Sequence, residues 1–237
     1  MCVSTFFYYV EKDMLKDKKA VIFDLDGTLC DSMWVWTDID RSFFDSRGIE
    51  VDESELQHAI EGMSFSETAE YFVATYPLPE TAEELMELWN EMALKRYQTD
   101  VQLKDGVRDY LDFLRGRGLK LAIATSNSRK VVETFLNVQG IAGYFSAITT
   151  SCEVHAGKPA PDVYLETAKK LDTDPADCLV FEDLIMGIEA GKNAGMTVCT
   201  VDDDYSHFEW DKKKAKADYA ITSYADPALR STGNGRS

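Results

Sequence analysis

The sequence predicts an α/β fold in which a doubly wound parallel sheet is covered by helices on both faces, with a helical domain inserted after the first strand. Short apolar and β-branched runs alternate with helical patterns, as expected for parallel strands joined by crossover helices. Several of these runs are apolar almost throughout, which is typical of strands covered on both faces. One long stretch near the amino terminus has helix signals and no strand signal.

The strands are predicted where apolar runs are bounded by turn residues. In chain order they are residues 20–25, 119–125, 146–150, 178–182, 196–201 and 218–221. A helical pattern at 107–114, which Gly118 ends, leads into the second of these strands. The chain of 237 residues is long enough to bury the core of such a sheet.

The inserted stretch, residues 32–104, is predicted to be helical because helix start and stop signals repeat along it. Capping boxes are predicted for Asp52 with Glu55, Ser64 with Glu67 and Thr81 with Glu84. Helix ends are predicted at Gly48, Gly62 and Pro77. A stripe typical of a helix with one buried face is formed by Leu85, Leu88, Trp89 and Met92.

These elements predict a core domain of residues 18–31 and 105–225, interrupted by a helical cap domain at 32–104. Residues 1–17 are predicted to be an N-terminal extension and residues 226–237 a frayed tail. The apolar run 3–10 is too short for a signal peptide and no Lys or Arg precedes it. We therefore expect that translation naturally begins at Met14.

Composition limits the classes of partner. The 42 acidic and 25 basic residues give a net charge of −17, which repels nucleic-acid phosphates and anionic membrane surfaces. No apolar run approaches the roughly 20 residues that span a bilayer. Cysteines without C-x-x-C spacing are predicted to be reduced core residues; they are Cys2, Cys30, Cys152, Cys178 and Cys199. We expect a soluble, cytoplasmic protein that binds neither nucleic acid nor membrane.

The chemistry is predicted to centre on residues 21–32 (VIFDLDGTLCDS). Asp24 and Asp26 are two positions apart in an extended segment, so both carboxylates leave the same face of the chain. Gly27 allows a tight turn that can present backbone N–H groups to an anion. Taken alone, the pair could equally be solvated acids in a turn at the end of a strand.

Three other polar groups follow predicted strands. They are Thr125, Ser126 and Asn127 after the second strand, Lys158 after the third, and Glu182 with Asp183 at the end of the fourth. In an open parallel sheet the carboxyl ends of the strands form the crevice where ligands bind. We therefore predict that all these residues meet in one site.

This set suits phosphoryl transfer. Asp24 can attack phosphorus to form an aspartyl-phosphate, and Asp26 can act as general acid and then general base. Thr125 and nearby backbone N–H groups can hold phosphate oxygens, while Lys158 neutralises their charge. The crowded acids demand a hard cation, for which Mg²⁺ is the best candidate. No ligand spacing is seen among the histidines, His58, His155 and His207, and none is assigned a role.

On these motifs the sequence resembles the haloacid dehalogenase superfamily, in the branch of β-phosphoglucomutase-like phosphatases that carry an inserted helical cap. The resemblance covers residues 20–221 and implies a Rossmann-like core. It implies that Asp24 is the nucleophile, Asp26 the general acid and base, Thr125 the phosphate-binding hydroxyl and Lys158 the conserved lysine of the motif set. It also implies that Mg²⁺ is held by Asp24, the backbone carbonyl of Asp26 and Asp183, with Glu182 acting through water.

Departures from the family pattern bear on the reaction. Mutases of this branch carry a His where this chain has Trp36 and an Arg where it has Phe65, so the sequence favours a phosphatase over a phosphomutase. Leu184 replaces a Ser found in many relatives, which alters the surroundings of the acidic pair. Asp26 argues against dehalogenation. A non-enzymatic phospho-acceptor module is a further alternative, because receiver domains also combine Asp, Thr and Lys around magnesium.

The expected partner is a small phosphorylated metabolite of the sugar phosphate or nucleotide type. An apolar pocket for the leaving group is suggested by Trp34, Trp36, Met63 and Phe65, although packing within the cap is the preferred interpretation of these residues. The sequence does not distinguish a monomer from a homodimer.

Overall fold

A computed structural model describes residues 13–60 and 63–230 of the chain. The predicted helix end at Gly62, the cysteine at position 2 and most of the N-terminal extension therefore lie outside the described residues. Within the two described ranges, no helix is both long and apolar enough to cross a membrane.

A parallel sheet forms the centre of the described chain. The strands are β1 (Ala20–Phe23), β2 (Cys30–Asp31), β3 (Gln102–Leu103), β4 (Lys120–Thr125), β5 (Ala147–Thr150), β6 (Cys178–Glu182), β7 (Thr197–Val201) and β8 (Tyr219–Ile221). Six of them pair in the order β5-β4-β1-β6-β7-β8, with every pair parallel. All six predicted strands are present, and the predicted doubly wound α/β fold is confirmed.

Strand β1 ends two residues before its predicted end at position 25. The backbone N–H of Asp24 still donates to Phe181 O at 3.0 Å, as a further rung of the sheet would. The carbonyl of Leu25 instead accepts from Leu29 N at 2.8 Å and from Cys30 N at 3.1 Å. The chain therefore turns immediately after Asp24, which places that residue at the edge of the sheet.

A second, antiparallel pair joins β2 to β3, with Cys30 opposite Leu103 and Asp31 opposite Gln102. The expectation that residues 32–104 contain no strand was therefore wrong at Gln102–Leu103. Each strand has only two residues, which is too short to show the alternation by which strands are recognised. The pair brings together the points where the chain leaves and re-enters the region of the sheet.

The helices of the described chain are α1 (Met33–Asp45), α2 (Glu53–Ile60), α3 (Phe65–Thr75), α4 (Ala82–Thr99), α5 (Val107–Gly116), α6 (Arg129–Val138), α7 (Asp162–Lys170), α8 (Ile185–Asn193) and α9 (Trp210–Lys216). Short 3-10 turns lie at Ala142–Tyr144, Ser151–Glu153, Pro175–Asp177, Asp204–Glu209 and Pro227–Arg230. Helices α1 to α4 all lie between β2 and β3, where the helical stretch was predicted; its status as a separate domain stays a prediction.

The helix starts follow the predicted capping signals. Complete capping boxes form at the starts of α3 and α4, through Ser64 and Glu67 and through Thr81 and Glu84. At α2 the carboxylate of Asp52 accepts from the backbone N–H of Glu55 at 3.1 Å. These bonds satisfy N–H groups that the first turn of a helix leaves without a partner.

The core lies on both faces of the sheet. Along β1, Val21 and Phe23 join one buried cluster, whereas Ala20 and Ile22 join the other, as the alternation of side chains in a strand requires. Helices α5 and α6 pack into the first cluster and α7 and α8 into the second. Helices α1, α3 and α4 extend the first cluster beyond the sheet.

Three expectations about burial need correction. Cys152 is exposed, because it lies in the turn after β5, whereas Cys30, Cys178 and Cys199 are buried as predicted. Leu229 is buried within the turn Pro227–Arg230, so the frayed tail does not begin at Asp226. Met14 and Leu15 pack into the core although they were assigned to an extension.

Gly106, which precedes α5, generates a prediction about stability. Its φ is +79°, and a Cβ there would lie 2.2 Å from Ala225 N, an atom of a backbone that cannot easily move. Gly106→Ala should lower the free energy of unfolding by more than about 1 kcal/mol in urea titrations. The control is Gly116→Ala, where a Cβ meets nothing within 4 Å and a gain of about 0.5–1 kcal/mol is expected. Equal effects of the two variants would contradict this account.

Candidate active site

The carboxyl ends of β1, β4 and β6 and the segment after β5 open into one cavity of about 690 Å³. The predicted residues that line it are Asp24, Asp26, Thr125, Ser126, Asn127, Lys158 and Glu182. Helices α1 to α3 and the turn Asp204–Glu209 form its other walls. The structure thus brings together residues that the sequence places on four separate segments.

Lys158 lies between two carboxylates at the floor of this cavity. Its Nζ is 2.8 Å from Asp24 Oδ1 and also donates to Glu182 Oε1. All three side chains are at least nine-tenths buried. Burial acts to lower the pKa of Lys158, but the two carboxylates outweigh it and hold the pKa above its usual value. The lysine is therefore a fixed cation beside Asp24.

Glu182 has its acceptor positions occupied by protein groups. Oε1 accepts from Lys158 and from the hydroxyl of Tyr164 at 2.7 Å. Oε2 accepts from the backbone N–H of Asp183 at 3.0 Å and of Leu184 at 3.3 Å. Glu182 is therefore arranged to orient Lys158.

The arrangement of acids fits a divalent cation. Among the described residues, Asp24, Glu182 and Asp183 each offer a ligand atom, and these atoms lie within 4.8 Å of one another. Asp183 is completely buried; its Oδ1 accepts from Thr28 Oγ1 at 2.8 Å, while Oδ2 has no hydrogen-bond partner in the described part of the chain. Carboxylate oxygens are the donors that Mg²⁺ prefers.

The pKa shifts of these acids also fit a bound divalent cation. Burial raises the pKa of Asp24 to about 7 even though Lys158 opposes the shift. Burial, together with the charges of Glu182 and Asp24, raises the pKa of Asp183 well above its usual value. One lysine therefore does not neutralise the acids that surround it, and a bound cation would do so.

Asp26 is held by donors from three different segments. Oδ1 accepts from Ser32 Oγ at 2.6 Å and from the hydroxyl of Tyr97, and Oδ2 accepts from Asn127 Nδ2 at 2.9 Å. Burial and the charge of Asp26 hold the pKa of Tyr97 well above its usual value, so its hydroxyl remains a donor. Helix α4 is thereby connected directly to the motif that follows β1.

The turn at Gly27 was predicted to present backbone N–H groups to an anion, and the N–H of Gly27 itself is not one of them. That N–H donates to Cys30 O at 3.0 Å, because the turn closes on itself. What requires glycine is the backbone, since φ is +70° and a Cβ would lie 2.2 Å from Asp183 Oδ2. Gly27 therefore allows the acidic pair after β6 to approach the motif after β1.

The segment after β4 carries the other predicted phosphate-binding residues. Thr125 is buried, and its Oγ1 accepts from Asn127 N at 3.1 Å. Ser126 lines the cavity, with its Oγ 3.5 Å from Ser151 Oγ. The side-chain amide of Asn127 contacts Asp26, so this residue orients a carboxylate in addition to bordering the cavity.

Aromatic residues form part of the opposite wall. Trp36 from α1, Phe65 from α3 and Met63 line the cavity, although packing was the preferred interpretation for them. Their rings also pack: the centroids of Trp36 and Phe65 are 5.9 Å apart. Trp34 is 39% exposed, and its indole N–H donates to Asp31 O at 3.2 Å.

Several residues at the site escaped the sequence reasoning. They are Thr28, Ser32, Tyr97 and Tyr164, which contact Asp183, Asp26 or Glu182. Ser32 and Thr28 lie within the motif after β1, so their position was a usable signal. Tyr97 falls on the buried stripe of α4, where its aromatic ring resembles an ordinary core residue.

The chain is similar to proteins of a known family. A family model described as haloacid dehalogenase-like hydrolase matches residues 21–201, which confirms the resemblance. The chain is 34% identical, over 81% of its length, to the bifunctional riboflavin kinase/FMN phosphatase of Arabidopsis thaliana, and it spans only 50% of that protein. It is 29% identical to the phosphorylated carbohydrates phosphatase of Thermotoga maritima, over 75% of this chain and 82% of that one.

A solved structure shares the fold. The crystal structure of CbbY from Rhodobacter sphaeroides in complex with phosphate matches with a TM-score of 0.79. The match covers 89% of this chain and 96% of that one at 24% identity. At this identity the comparison supports the arrangement of strands and helices alone.

The excess of buried negative charge generates a prediction for Asp183→Asn. In the absence of a divalent cation, the free energy of unfolding of this variant should be about 1 kcal/mol or more higher than that of the unaltered protein. The reason is that the substitution removes a buried negative charge that no bound cation neutralises. Urea titration in a chelating buffer measures this. Mg²⁺ should then raise the Tm of the unaltered protein and not that of the variant.

The matched control is Asp203→Asn. Asp203 is also buried, but its carboxylate is 2.7 Å from Lys104 Nζ, so its removal leaves a cation without its partner. This control should be destabilised in the same buffer. Destabilisation of Asp183→Asn to the same extent would contradict the argument from charge crowding.

Proposed function

The chain belongs to the haloacid dehalogenase-like hydrolase family, and from this premise we propose that it is a Mg²⁺-dependent phosphatase that hydrolyses a small phosphorylated metabolite through an aspartyl-phosphate at Asp24. The observation that carries the proposal is the buried pair of Asp24 and Lys158, 2.8 Å apart, on the floor of a cavity that Asp26 also lines. Both relatives described above are phosphatases by name, which supports a phosphate monoester as substrate.

In the first step, an oxygen of Asp24 attacks phosphorus and the bond from phosphorus to the leaving oxygen breaks. Asp26 gives its proton to that oxygen, so the product leaves as an alcohol. In the second step, water attacks the phosphorus, Asp26 accepts a proton from it, and Asp24 is released as a carboxylate. Lys158 would balance the charge of the phosphoryl oxygens throughout, and the hydroxyl of Thr125 would donate to one of them.

Mg²⁺ would be held by Asp24, Asp183 and the backbone carbonyl of Asp26, with Glu182 acting through its neighbours. When bound, the ion supplies positive charge to the phosphate oxygens and neutralises the crowded acids. The unpartnered Oδ2 of Asp183 and the raised pKa of that residue support this assignment. Thr28 keeps the carboxylate of Asp183 in a fixed orientation.

Hydrolysis is favoured over transfer between two phosphates. A mutase must hold a second phosphate in the cavity, and a cationic side chain suits that task. The wall facing the floor carries Trp36, Met63 and Phe65 instead. An apolar wall offers a second phosphate no compensation for the water that it would lose.

The nucleophile is tested by Asp24→Asn. This variant should lose turnover of phosphate esters by a factor of about a thousand or more, because an amide oxygen is a poor nucleophile toward phosphorus. Steady-state release of inorganic phosphate in the presence of Mg²⁺ measures the loss, and circular dichroism shows that the fold persists. Asp31→Asn, at an exposed position of the same motif, is the control and should keep normal turnover. Normal turnover by Asp24→Asn would reject the proposal.

The orientation of Asp26 is tested by Tyr97→Phe. The ring still fills its place in the core, but the hydroxyl bond to Asp26 is lost. The value of kcat should fall about tenfold, with a smaller change in KM, because proton transfer by Asp26 should be slowed more than substrate binding is weakened.

Tyr110→Phe is the matched control for that variant. Tyr110 is equally buried, and its hydroxyl has no hydrogen-bond partner among the described residues, so only a buried hydroxyl is removed. Its kcat should remain normal. Equal losses in the two variants would show that Tyr97 acts through packing alone.

A further inference from the structure

The cavity in front of Asp24 extends well beyond a phosphate group. Its floor is polar, but most of the surrounding wall is apolar. The wall residues that matter here are Trp36, Met63, Phe65, Leu184, Met186 and Phe208. With a phosphate bound at the floor, these side chains would face the part of the substrate that departs as an alcohol.

Aromatic rings from two separate parts of the chain line this space. Trp36 and Phe65 come from α1 and α3, with an interplanar angle of 64° between their rings. Tyr205 and Phe208 come from the turn Asp204–Glu209, which follows the sheet strand β7. Phe208 is 83% exposed at this border of the cavity. A large ring left in water beside a cavity is an available contact surface for a ligand.

Polar side chains from α1, α2, α3 and the turn Asp204–Glu209 also line these walls. Gln57 Nε2 donates to Asp40 Oδ2 at 3.2 Å, and Gln57 Oε1 accepts from the hydroxyl of Tyr205 at 2.9 Å. Asp40, Gln57 and Tyr205 all line the cavity. Burial raises the pKa of Asp40 to about 7, so near neutral pH its carboxyl can either donate or accept. The carboxyl of Asp40 can therefore form hydrogen bonds with the polar edge of a ring.

The chemistry of the walls discriminates between classes of leaving group. A sugar or polyol carries a hydroxyl on nearly every carbon, and apolar walls would remove water from those hydroxyls without replacing their hydrogen bonds. A planar heteroaromatic ring has apolar faces that pack against aromatic side chains and a polar edge that needs few partners. The observed walls match the second class.

We propose that the preferred substrate is a phosphate monoester whose alcohol carries a planar heteroaromatic ring, as in a nucleoside monophosphate or a flavin phosphate. The ring would lie between the side of Trp36 and Phe65 and the side of Tyr205 and Phe208. Asp40 and Gln57 would bond its polar edge. This inference rests on the proposed phosphatase function and specifies its substrate class.

A panel of esters tests the inference with the full chain and Mg²⁺. Adenosine and uridine 5′-monophosphates, flavin mononucleotide, glucose 6-phosphate and glycerol 3-phosphate are compared by kcat/KM. The kcat/KM of at least one ring-bearing ester should exceed that of both glucose 6-phosphate and glycerol 3-phosphate by about tenfold or more. Comparison of the two nucleotides with flavin mononucleotide then identifies the preferred ring. Higher kcat/KM for glucose 6-phosphate or glycerol 3-phosphate would overturn the substrate class and leave the phosphatase function standing. Absence of turnover with every ester would overturn both.

Phe208→Ala tests whether the ring of the substrate packs against Phe208. Because the side chain is largely exposed, its loss should leave stability nearly unchanged. The value of kcat/KM for the best ring-bearing ester should fall about tenfold relative to that for glycerol 3-phosphate. Val138→Ala, at a 51% exposed position on α6, is the control and should alter neither value. An unchanged ratio in Phe208→Ala would overturn the placement of the ring against this side of the cavity.

Discussion

The buried contacts of Lys158 with Asp24 and Glu182 are the interaction on which the rest of the site depends. A cation and two carboxylates removed from water are stable only when they pair with good geometry and their remaining positions are hydrogen-bonded. Glu182 satisfies that requirement through Tyr164 and two backbone N–H groups. Asp183 adds a further buried carboxylate, so the cluster carries more negative than positive charge. The same imbalance would attract a divalent cation, in line with the proposed role of Mg²⁺.

The position of Asp26 links this cluster to the helices between β2 and β3. Its carboxylate is fixed by Ser32 from its own motif, by Asn127 from the segment after β4 and by Tyr97 from α4. A second bond between α4 and the same region joins Asn90 to Ser128. The helical stretch therefore contributes to the catalytic floor in addition to the wall above it. Any movement of α4 relative to the sheet would change the surroundings of the proposed general acid.

Reactivity and selectivity come from different parts of the chain. The carboxylates and the hydroxyl come from the ends of β1, β4 and β6, and the lysine comes from the segment after β5; any phosphate ester would meet these groups in the same way. The upper walls come from α1 to α3, from the start of α8 and from the turn after β7, and these segments differ in chemistry from the floor. Ligand sites at the carboxyl edge of α/β sheets commonly show this division, because the scaffold fixes the floor while connecting segments vary.

The sheet and the acids at its edge could be predicted from the sequence. Because the period of apolar residues is a local property, each of the six strands of the parallel sheet could be predicted from its own residues. Asp24 and Glu182 follow from where two of these strands end, and Lys158 lies in the segment after β5. Which of these groups meet depends on the tertiary structure. Tyr97 and Asp26 are 71 positions apart and Thr28 and Asp183 are 155 apart, and no local pattern encodes such contacts. The need for glycine at position 27 also depends on the tertiary structure, because a Cβ there would clash with the side chain of Asp183.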